Sequence, residues 1–255
     1  MAKGVAIGLT NLHYAFLDET LDVPNEASVS GSITGLYKDP IRLAGAITGN
    51  FSPSASNDTL FADDGPYEVA STLGAMTLEL NVADIPPVHR AALLGEDTVD
   101  GIVVSNSDHT PPWVAVGMSV KKSNGSSRLI WYLKGKFSAP DENNQTKADS
   151  INWNTPTIQG NFTKRLCDNN WRYALDTDDI IAAAKKNGGT CKIAEDGKFG
   201  EWFKVGIICT TDTTDTNGTI TTKAIENLKN ALITTGTSSG GTDPGTDPGT
   251  DPDTP

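Results

Sequence analysis

Residues 61–86 read FADDGPYEVASTLGAMTLELNVADIP, and this stretch decides the predicted fold. Its second half alternates strictly between apolar and polar residues, with Met76, Leu78, Leu80 and Val82 on one face and Thr77, Glu79 and Asn81 on the other. A period of two is typical of a strand with one buried and one exposed face. The first half is acidic and rich in turn-forming residues. The sequence therefore predicts a turn that leads into a half-buried strand.

Further strand patterns lie on both sides of this stretch. We expect short strands over residues 12–17, 28–37, 41–51 and 151–162, the third with Ile41, Leu43, Ile47 and Phe51 on one face. The clearest hairpin joins residues 114–120 to residues 129–137 through Asn124-Gly125, a pair that adopts the positive φ angles of tight turns. Several such strands predict an antiparallel sheet with one core-facing side.

Residues 52–72 show no periodic pattern of their own and are predicted to form a long connection. Connections of this length inside a compact β domain are usually functional or interfacial. We expect the segment to be an arm that contacts other subunits. The candidate contact residues are those of its acidic turn: Asp63, Asp64, Gly65, Pro66, Tyr67 and Glu68.

Helices are predicted at three places, with one more strand over residues 199–209. Residues 86–95 have proline at the start and glycine at the end, as short helices prefer. Residues 176–186 begin with acids and end with lysines, which suits the helix dipole. Residues 222–233 are amphipathic, whereas residues 236–255 repeat Gly-Thr-Asp-Pro and are predicted to be a disordered tail or linker. The expected organisation is one mainly β (α+β) domain over residues 1–235, followed by this tail.

The composition limits the classes of function. The 255 residues carry a net charge of −12; setting aside the four acids of the tail leaves 28 acidic and 20 basic residues, a net charge of −8. Such a surface argues against tight nucleic-acid binding, which needs clustered Lys and Arg. We see no apolar run that predicts a membrane span or a signal peptide. Cys167, Cys191 and Cys209 show no metal or disulfide pattern, so reduced thiols are expected.

No pattern of catalytic residues stands out. His13, His89 and His109 lack partners at the spacing that metal binding or general-base catalysis requires. Adjacent acids such as Asp63-Asp64 and Asp178-Asp179 stand where turns and helix starts favour aspartate anyway. Of the five tryptophans, Trp131 and Trp153 lie in strand patterns and are expected to pack within a sheet. The sequence predicts no enzyme activity, no cofactor and no metal.

Five segments in this order resemble the major tail proteins of long-tailed bacteriophages, the phi13-type family. They are GLTNLHYA at residues 8–15, the stretch at residues 61–86, TPPWVAVG at residues 110–117, YLKGKFS at residues 132–138 and TPTIQG at residues 155–160. The resemblance covers roughly the first two thirds of the chain well and the last third loosely. It implies an antiparallel β-sandwich or small β-barrel of the tail-tube type with flanking short helices.

The same resemblance implies an architectural function. Such subunits form rings, usually hexamers, which stack into the hollow tube through which phage DNA passes without specific binding. The implied partners are other copies of the chain, the tape measure protein, the tail terminator and the distal tail initiator, but no membrane. The implied location is the virion tail, after synthesis in the cytoplasm of the bacterial host.

Three alternatives remain open from the sequence. A surface β module that binds carbohydrate or mediates adhesion would use exposed tryptophans and form no rings. A head decoration or tail-terminator protein would form single rings or caps but no long tubes. A hydrolase is the weakest alternative, because no nucleophile and base occur at a matching spacing.

Overall fold

The computed structural model describes residues 4–22, 36–62, 64–142, 153–167, 169–186, 190–191, 202–203 and 233–234. The strands are β1 (Ala6–Phe16), β2 (Ile41–Arg42), β3 (Ala46–Ala62), β4 (Gly65–Val82), β5 (Asp97–Val99), β6 (Ile102–Val104), β7 (Val114–Lys122), β8 (Ser127–Phe137), β9 (Thr157–Thr163), β10 (Arg172–Asp176), β11 (Thr190–Cys191) and β12 (Ile233–Thr234). The helices are α1 (Pro87–Leu94) and α2 (Thr177–Lys186). A mainly β protein with short flanking helices is therefore confirmed.

Most of these strands belong to one antiparallel sheet. Its order is β2-β1-β7-β8-β9-β4-β3, and β10 pairs with β8 as an eighth strand. β10 pairs with residues 128–132 of β8 and β9 with residues 134–137, so the two strands share one side of β8. Within the described residues β2 and β3 end the order and do not pair with each other. The sheet is therefore open and not a closed barrel.

The main hydrophobic core lies inside the curl of this sheet. Met76, Leu78, Leu80 and Val82 of β4 are each at most 2% exposed, which confirms the buried face predicted from their alternation. They pack with residues of β1, β7, β8, β9 and α1. A Cβ added at Gly49 of β3 would lie 3.3 Å from Leu80 and equally close to a methyl of Leu9 in β1. Because four strands lie between β1 and β3 in the order, this approach shows that the sheet bends around its core.

A second core covers the opposite face of β7 and β8. Trp131 and Leu133 of β8 pack there against Ile180 and Ala184 of α2. Trp131 is fully buried, as its strand pattern predicted. The ring lies so close to Gly117 of β7 that an added Cβ would be 2.7 Å from it. Both strands are therefore buried on two faces. The expectation of a sheet with a single core-facing side is wrong for β7 and β8.

The predicted turns and short helices have local causes that the structure confirms. α1 begins at Pro87 and stops at Gly95, whose φ of 72° is the left-handed conformation that glycine adopts readily. The Tyr14 hydroxyl lies 2.8 Å from Nδ1 of His89 and ties α1 to β1. In the β7–β8 turn the positive φ falls on Gly125 alone, at 83°.

The strand predicted over residues 41–51 is two strands in the structure. β2 ends at Arg42, β3 begins at Ala46, and Gly45 between them has a φ of 84°. Leu43 is 4% exposed, whereas Ile47 is 47% exposed. The prediction that alternate residues from Ile41 to Phe51 share one buried face is therefore wrong. The left-handed glycine changes the direction of the chain, so alternation does not continue across it.

The predicted long connection over residues 52–72 is also wrong. These residues form the distal part of β3 and β4, paired from Ser52↔Thr77 to Ala62↔Gly65. Their side chains are exposed on both faces of the hairpin, so no alternation of burial marks them as strands. Only the pairing of the two strands determines this part of the structure.

The remaining expectations differ in outcome. The strand predicted over residues 151–162 begins at Thr157, and Trp153, expected to pack in it, is 84% exposed. The strands predicted over residues 28–37 and 199–209 fall mainly outside the described residues, as do Cys209 and the tail at 236–255. The helix predicted over residues 222–233 also falls outside them, apart from its last residue. That residue, Ile233, belongs to β12, so the prediction that Ile233 is helical is wrong.

Candidate assembly surface

The β3–β4 hairpin extends well past the body of the protein, and we call residues 53–75 the arm. β4 pairs with β9 only from Met76 to Asn81, so beyond Met76 the two strands of the arm pair only with each other. No described residue of the arm is buried. At a rise of roughly 3.3 Å per residue, the arm is about 30 Å long. A two-stranded hairpin of this kind is at best marginally stable without a packing partner.

One face of the arm continues the core-facing side of the sheet. Phe51 packs on the main core from β3, opposite Leu78 of β4. The next two β3 residues on the same face as Phe51 pair with Met76 and with Leu73 of β4. A β-bulge adds one residue to β4 between these two pairs. The bulge therefore keeps Leu73 on the core-facing side although three positions separate it from Met76.

Apolar side chains recur on this face out to the tip, with polar ones between them. Leu73, Val69 and Phe61 are 49%, 63% and 70% exposed, and Tyr67 beside them is 74% exposed. The core-facing side of the sheet thus extends along the arm, where no described part of the chain packs against it. Surfaces of this kind mark sites of association in soluble proteins.

The charges of the arm are all negative. Asp58, Asp64 and Glu68 are exposed, Asp63 adds a fourth acid to the sequence, and residues 46–82 contain no Lys or Arg. Within the described residues none of the three placed acids forms an ion pair. A surface that binds the arm closely must therefore supply positive charge.

The predicted contact residues come together at the tip of the arm. Asp64 has a φ of 62°, a conformation that Asp tolerates better than most residues, and Gly65 pairs with Ala62 to close the hairpin. Pro66, Tyr67 and Glu68 follow as exposed residues of β4. Asp63 lies outside the described residues. The contact residues that the structure describes form a strand end and a tight turn, where a long loop was expected.

Sequence reasoning missed the apolar residues on either side of the turn. The predicted connection includes Phe61 and Val69, yet these two residues carry much of the exposed apolar surface of the arm. Their spacing of two from Thr59 and Tyr67 is a strand signal. The intervening Asp, Ser and Thr residues made that signal too weak to identify.

Among the strand edges that lack a partner within the described residues are those of β3 and of the first half of β1. β3 pairs with β4 alone along its length. β1 pairs with β2 only at His13 and Tyr14, so the stretch from Ala6 to Asn11 has β7 on one side and no strand on the other. Unpaired edges are templates for pairing with another chain.

A groove lies beside this unpaired edge of β1. It is lined by β1 from Ile7 to His13, by residues 39–46, by the β7–β8 turn and by Phe203, and its volume is about 1460 Å³. Ile7 is 69% exposed, and the ring of His13 stacks on that of Phe203 with centroids 4.1 Å apart. This groove is larger than the clefts that usually bind small ligands.

The charge of the groove is positive. Its charged side chains are Arg42, Lys121, Lys122 and Asp39. Lys122 is neutralised by an ion pair with Asp176. Arg42 and Lys121 are exposed, and neither forms an ion pair within the described residues. Asp39 offsets one of these two charges and leaves the groove with a net positive charge.

Asp176 fixes the position of Lys122, one of the side chains that line the groove. Arg128 donates to the Asp176 carboxylate from Nε at 2.7 Å, and Lys122 donates from the other side. The hydrogen bonds from Arg128, followed by those from Lys122, hold the pKa of the Asp176 carboxyl far below its usual range. The carboxylate therefore stays charged at any physiological pH and fixes β7 and β8 to the start of α2.

A second ion pair fixes the chain after β1. Asp22, fully buried, accepts from Lys134 and from the backbone N–H groups of Leu166 and Cys167 at 2.8 and 3.0 Å. Burial raises the pKa of Asp22, but the bonds from Lys134 and the backbone outweigh it, and the net pKa lies below the ordinary value. This pair is structural, because it lies away from the arm and the groove.

The histidines do not form a catalytic arrangement. His13 donates from Nδ1 to the carbonyl oxygen of Asn11, His89 bonds to Tyr14, and His109 lies 3.2 Å from Asp97. Each belongs to a separate part of the fold. The part of the chain that the structure describes contains no group of three or more His, Cys, Asp or Glu able to hold a metal ion.

The tryptophans do not form an exposed platform in the described chain. Trp131 and Trp202 are buried, and Trp171 packs against the main core. Trp113 lies under Lys134 and Lys136, whose Nζ atoms are 4.7 and 4.6 Å from its ring centroid. Trp153 alone is strongly exposed, and a carbohydrate platform would need several rings side by side.

Among known proteins, no family model and no curated protein matches this sequence. One similar solved structure is a chain of the anti-feeding prophage (AFP) baseplate, from a 6-fold symmetrised cryo-EM structure. It is 12% identical, with 69% of this chain and 97% of that chain covered and a TM-score of 0.33. The crystal structure of an Hcp protein is also 12% identical, with 66% and 99% covered and a TM-score of 0.27. TM-scores this low assign no function to the chain.

In the part of the chain that the structure describes, no helix combines the length and the hydropathy needed to cross a bilayer.

Proposed function

We propose that this chain is a structural protein of a phage-type tail, and specifically the major subunit of a tail tube. Copies associate into rings, which the family resemblance makes hexameric, and the rings stack into a hollow conduit for DNA. The sequence segments described above support this proposal, as does the open antiparallel sheet with its two short helices.

The observation that carries the proposal is the arm. Its apolar face continues the core-facing side of β3 and β4 past the last core residue, and its exposed side chains have no covering element in the chain described. Burying apolar surface contributes roughly 25 cal/mol per Å². A neighbouring subunit that covers this face therefore stabilises both the arm and the assembly.

The unpaired edges of β3 and β1 support ring formation. β3 and the first half of β1 offer backbone N–H and C=O groups on opposite ends of the sheet order. Edge-to-edge pairing of β3 in one copy with β1 in the next would make a continuous sheet around a ring and remove both exposed edges. Contacts between two different surfaces of this kind close into rings or extend into filaments.

The acidic composition supports a conduit for DNA. A net charge of −12 repels phosphate groups, so a polymer passing through the bore does not adhere to it. The proposed partners are other copies of the chain, the tape measure protein, the tail terminator and the distal tail initiator. The proposed location is the virion tail.

Negative-stain electron microscopy of the concentrated protein tests the function. We expect hollow tubes with a regular axial repeat from the wild-type chain. Deleting residues 63–68 should leave a folded protein that forms no tubes, because the tip of the arm is lost. A variant with these six residues replaced by a Gly-Ser segment of equal length separates the chemistry of the tip from its length. Normal tubes from both variants would refute the role of the tip.

A further inference from the structure

We propose that the groove beside β1 is the binding site for the arm of a second copy of this chain. The inference rests on the proposed function in that it requires copies of the chain to associate. It goes further by assigning the surface that receives the arm, with Arg42 and Lys121 as its charged contacts and Ile7 and Leu9 as its apolar ones.

The charges of the two surfaces are complementary. The arm carries Asp58, Asp64 and Glu68 without a single base, and the groove carries Arg42 and Lys121 without an ion-pair partner in the described chain. Opposite charges that meet across an interface orient the partners and speed their association. Like charges would repel each other in a groove-to-groove or an arm-to-arm contact. The charges therefore favour the arm as the occupant of the groove.

The shape and the apolar content also correspond. A volume of about 1460 Å³ suits a peptide segment better than a small molecule. Ile7 at 69% exposure and the half-buried Leu9 offer apolar surface for Phe61 and Tyr67. The unpaired edge of β1 runs along the groove, so a strand of the arm can add backbone hydrogen bonds there.

The occupant must come from another molecule. The groove lies at the start of β3, where Ala46 is part of its lining, whereas the tip lies at Ala62. Sixteen residues of strand separate them, a distance of about 50 Å at the usual rise per residue. A hairpin paired along its length cannot fold back over that distance. Each copy thus offers one arm and one groove, and such contacts propagate from copy to copy.

A charge exchange between copies tests this assignment. One variant reverses the groove with Arg42→Glu and Lys121→Glu, and the other reverses two of the four charges of the arm with Asp58→Lys and Glu68→Lys. Asp64 is left unchanged because its positive φ suits Asp better than Lys. A control variant, Lys164→Glu with Lys185→Glu, makes the same change in net charge at exposed positions outside the groove.

Sedimentation velocity over a concentration series measures self-association, and thermal unfolding verifies that each variant is folded. We expect each reversed variant alone to need at least a tenfold higher concentration than the wild type for half-association. The control should associate like the wild type. An equimolar mixture of the two reversed variants should regain association, because the lysines introduced in the arm of one variant then meet the glutamates introduced in the groove of the other.

The outcomes separate this inference from the proposed function. A groove variant that still associates and forms tubes like the wild type overturns the groove assignment and leaves the tube function standing. A mixture that does not regain association also overturns the assignment. Complexes that follow the charge exchange but never form tubes support the groove and count against the tube function. A wild-type chain that stays monomeric at every concentration overturns the groove assignment.

Discussion

Replacing Phe61 by serine should weaken assembly strongly while leaving the fold of the single chain intact. Phe61 is 70% exposed in the arm. An aromatic side chain buries about 150–250 Å² when fully covered. The exposed share is therefore about 105–175 Å², which at roughly 25 cal/mol per Å² corresponds to about 3–4 kcal/mol if a neighbour covers it. Since about 1.4 kcal/mol is a factor of ten, association should weaken on the order of a hundredfold.

The assay is sedimentation velocity over a concentration series, with electron microscopy of the same samples. The midpoint temperature of thermal unfolding should change little, because substitutions at exposed positions usually alter the free energy of unfolding by less than about 0.5 kcal/mol. The area estimate is an upper bound, since part of the gain offsets the cost of ordering the arm.

A matched pair of valines provides the control. Val69 in the arm is 63% exposed and Val88 on α1 is 65% exposed, so the two lose the same apolar area on substitution by serine. Val69→Ser should weaken association by about five- to thirtyfold, from about 1–2 kcal/mol of burial. Val88→Ser should leave it unchanged. Equal effects of the two substitutions, or none from Phe61→Ser, would refute the view that the arm carries the interface.

Two further predictions concern the body of the protein. Gly117→Ala places a Cβ 2.7 Å from the buried Trp131 ring and should reduce the free energy of unfolding by about 1–3 kcal/mol in urea titrations. Gly8→Ala is the control, because no atom lies within 4 Å of its Cβ, and it should leave the free energy of unfolding nearly unchanged. Equal losses from the two substitutions would contradict the packing argument. The Arg128 hydrogen bonds depress the pKa of Asp176 in the folded state, so its contribution is present above about pH 4 and is lost as the pH falls. Asp176→Asn should therefore lower stability at pH 7 and flatten its decline in acid, and an unchanged pH profile would oppose this assignment.

The expectations that hold are those with a local physical cause. β4 was predicted because apolar and polar residues alternate from Met76 to Val82, and the core covers only the apolar face of this strand. α1 was predicted because proline at its start and Gly95 at its end match the backbone geometry of helix ends. α2 was predicted from acids at its start and lysines at its end. Each signal lies within a few residues of sequence, so no distant contact was needed.

The expectations that fail depend on distant contacts. Residues 52–72 are exposed on both faces, so the period-two signal is missing although the chain is extended there. β7 and β8 are buried on both faces because α2 and Trp202 cover the side opposite the main core. The groove joins residues from β1, the chain before β3 and the β7–β8 turn, which are far apart in the sequence.

The sequence by itself determined the mainly β class, the core face of β4, the short helices and the acidic turn at residues 63–68. It did so because backbone propensity and side-chain alternation act between near neighbours. Only the tertiary structure decided that this turn is the tip of a paired hairpin, that a bulge keeps Leu73 on the core-facing side, and that Arg42 and Lys121 lie in one groove. Strand pairing and sheet curvature bring these residues into register, and the one-dimensional pattern of the chain contains neither.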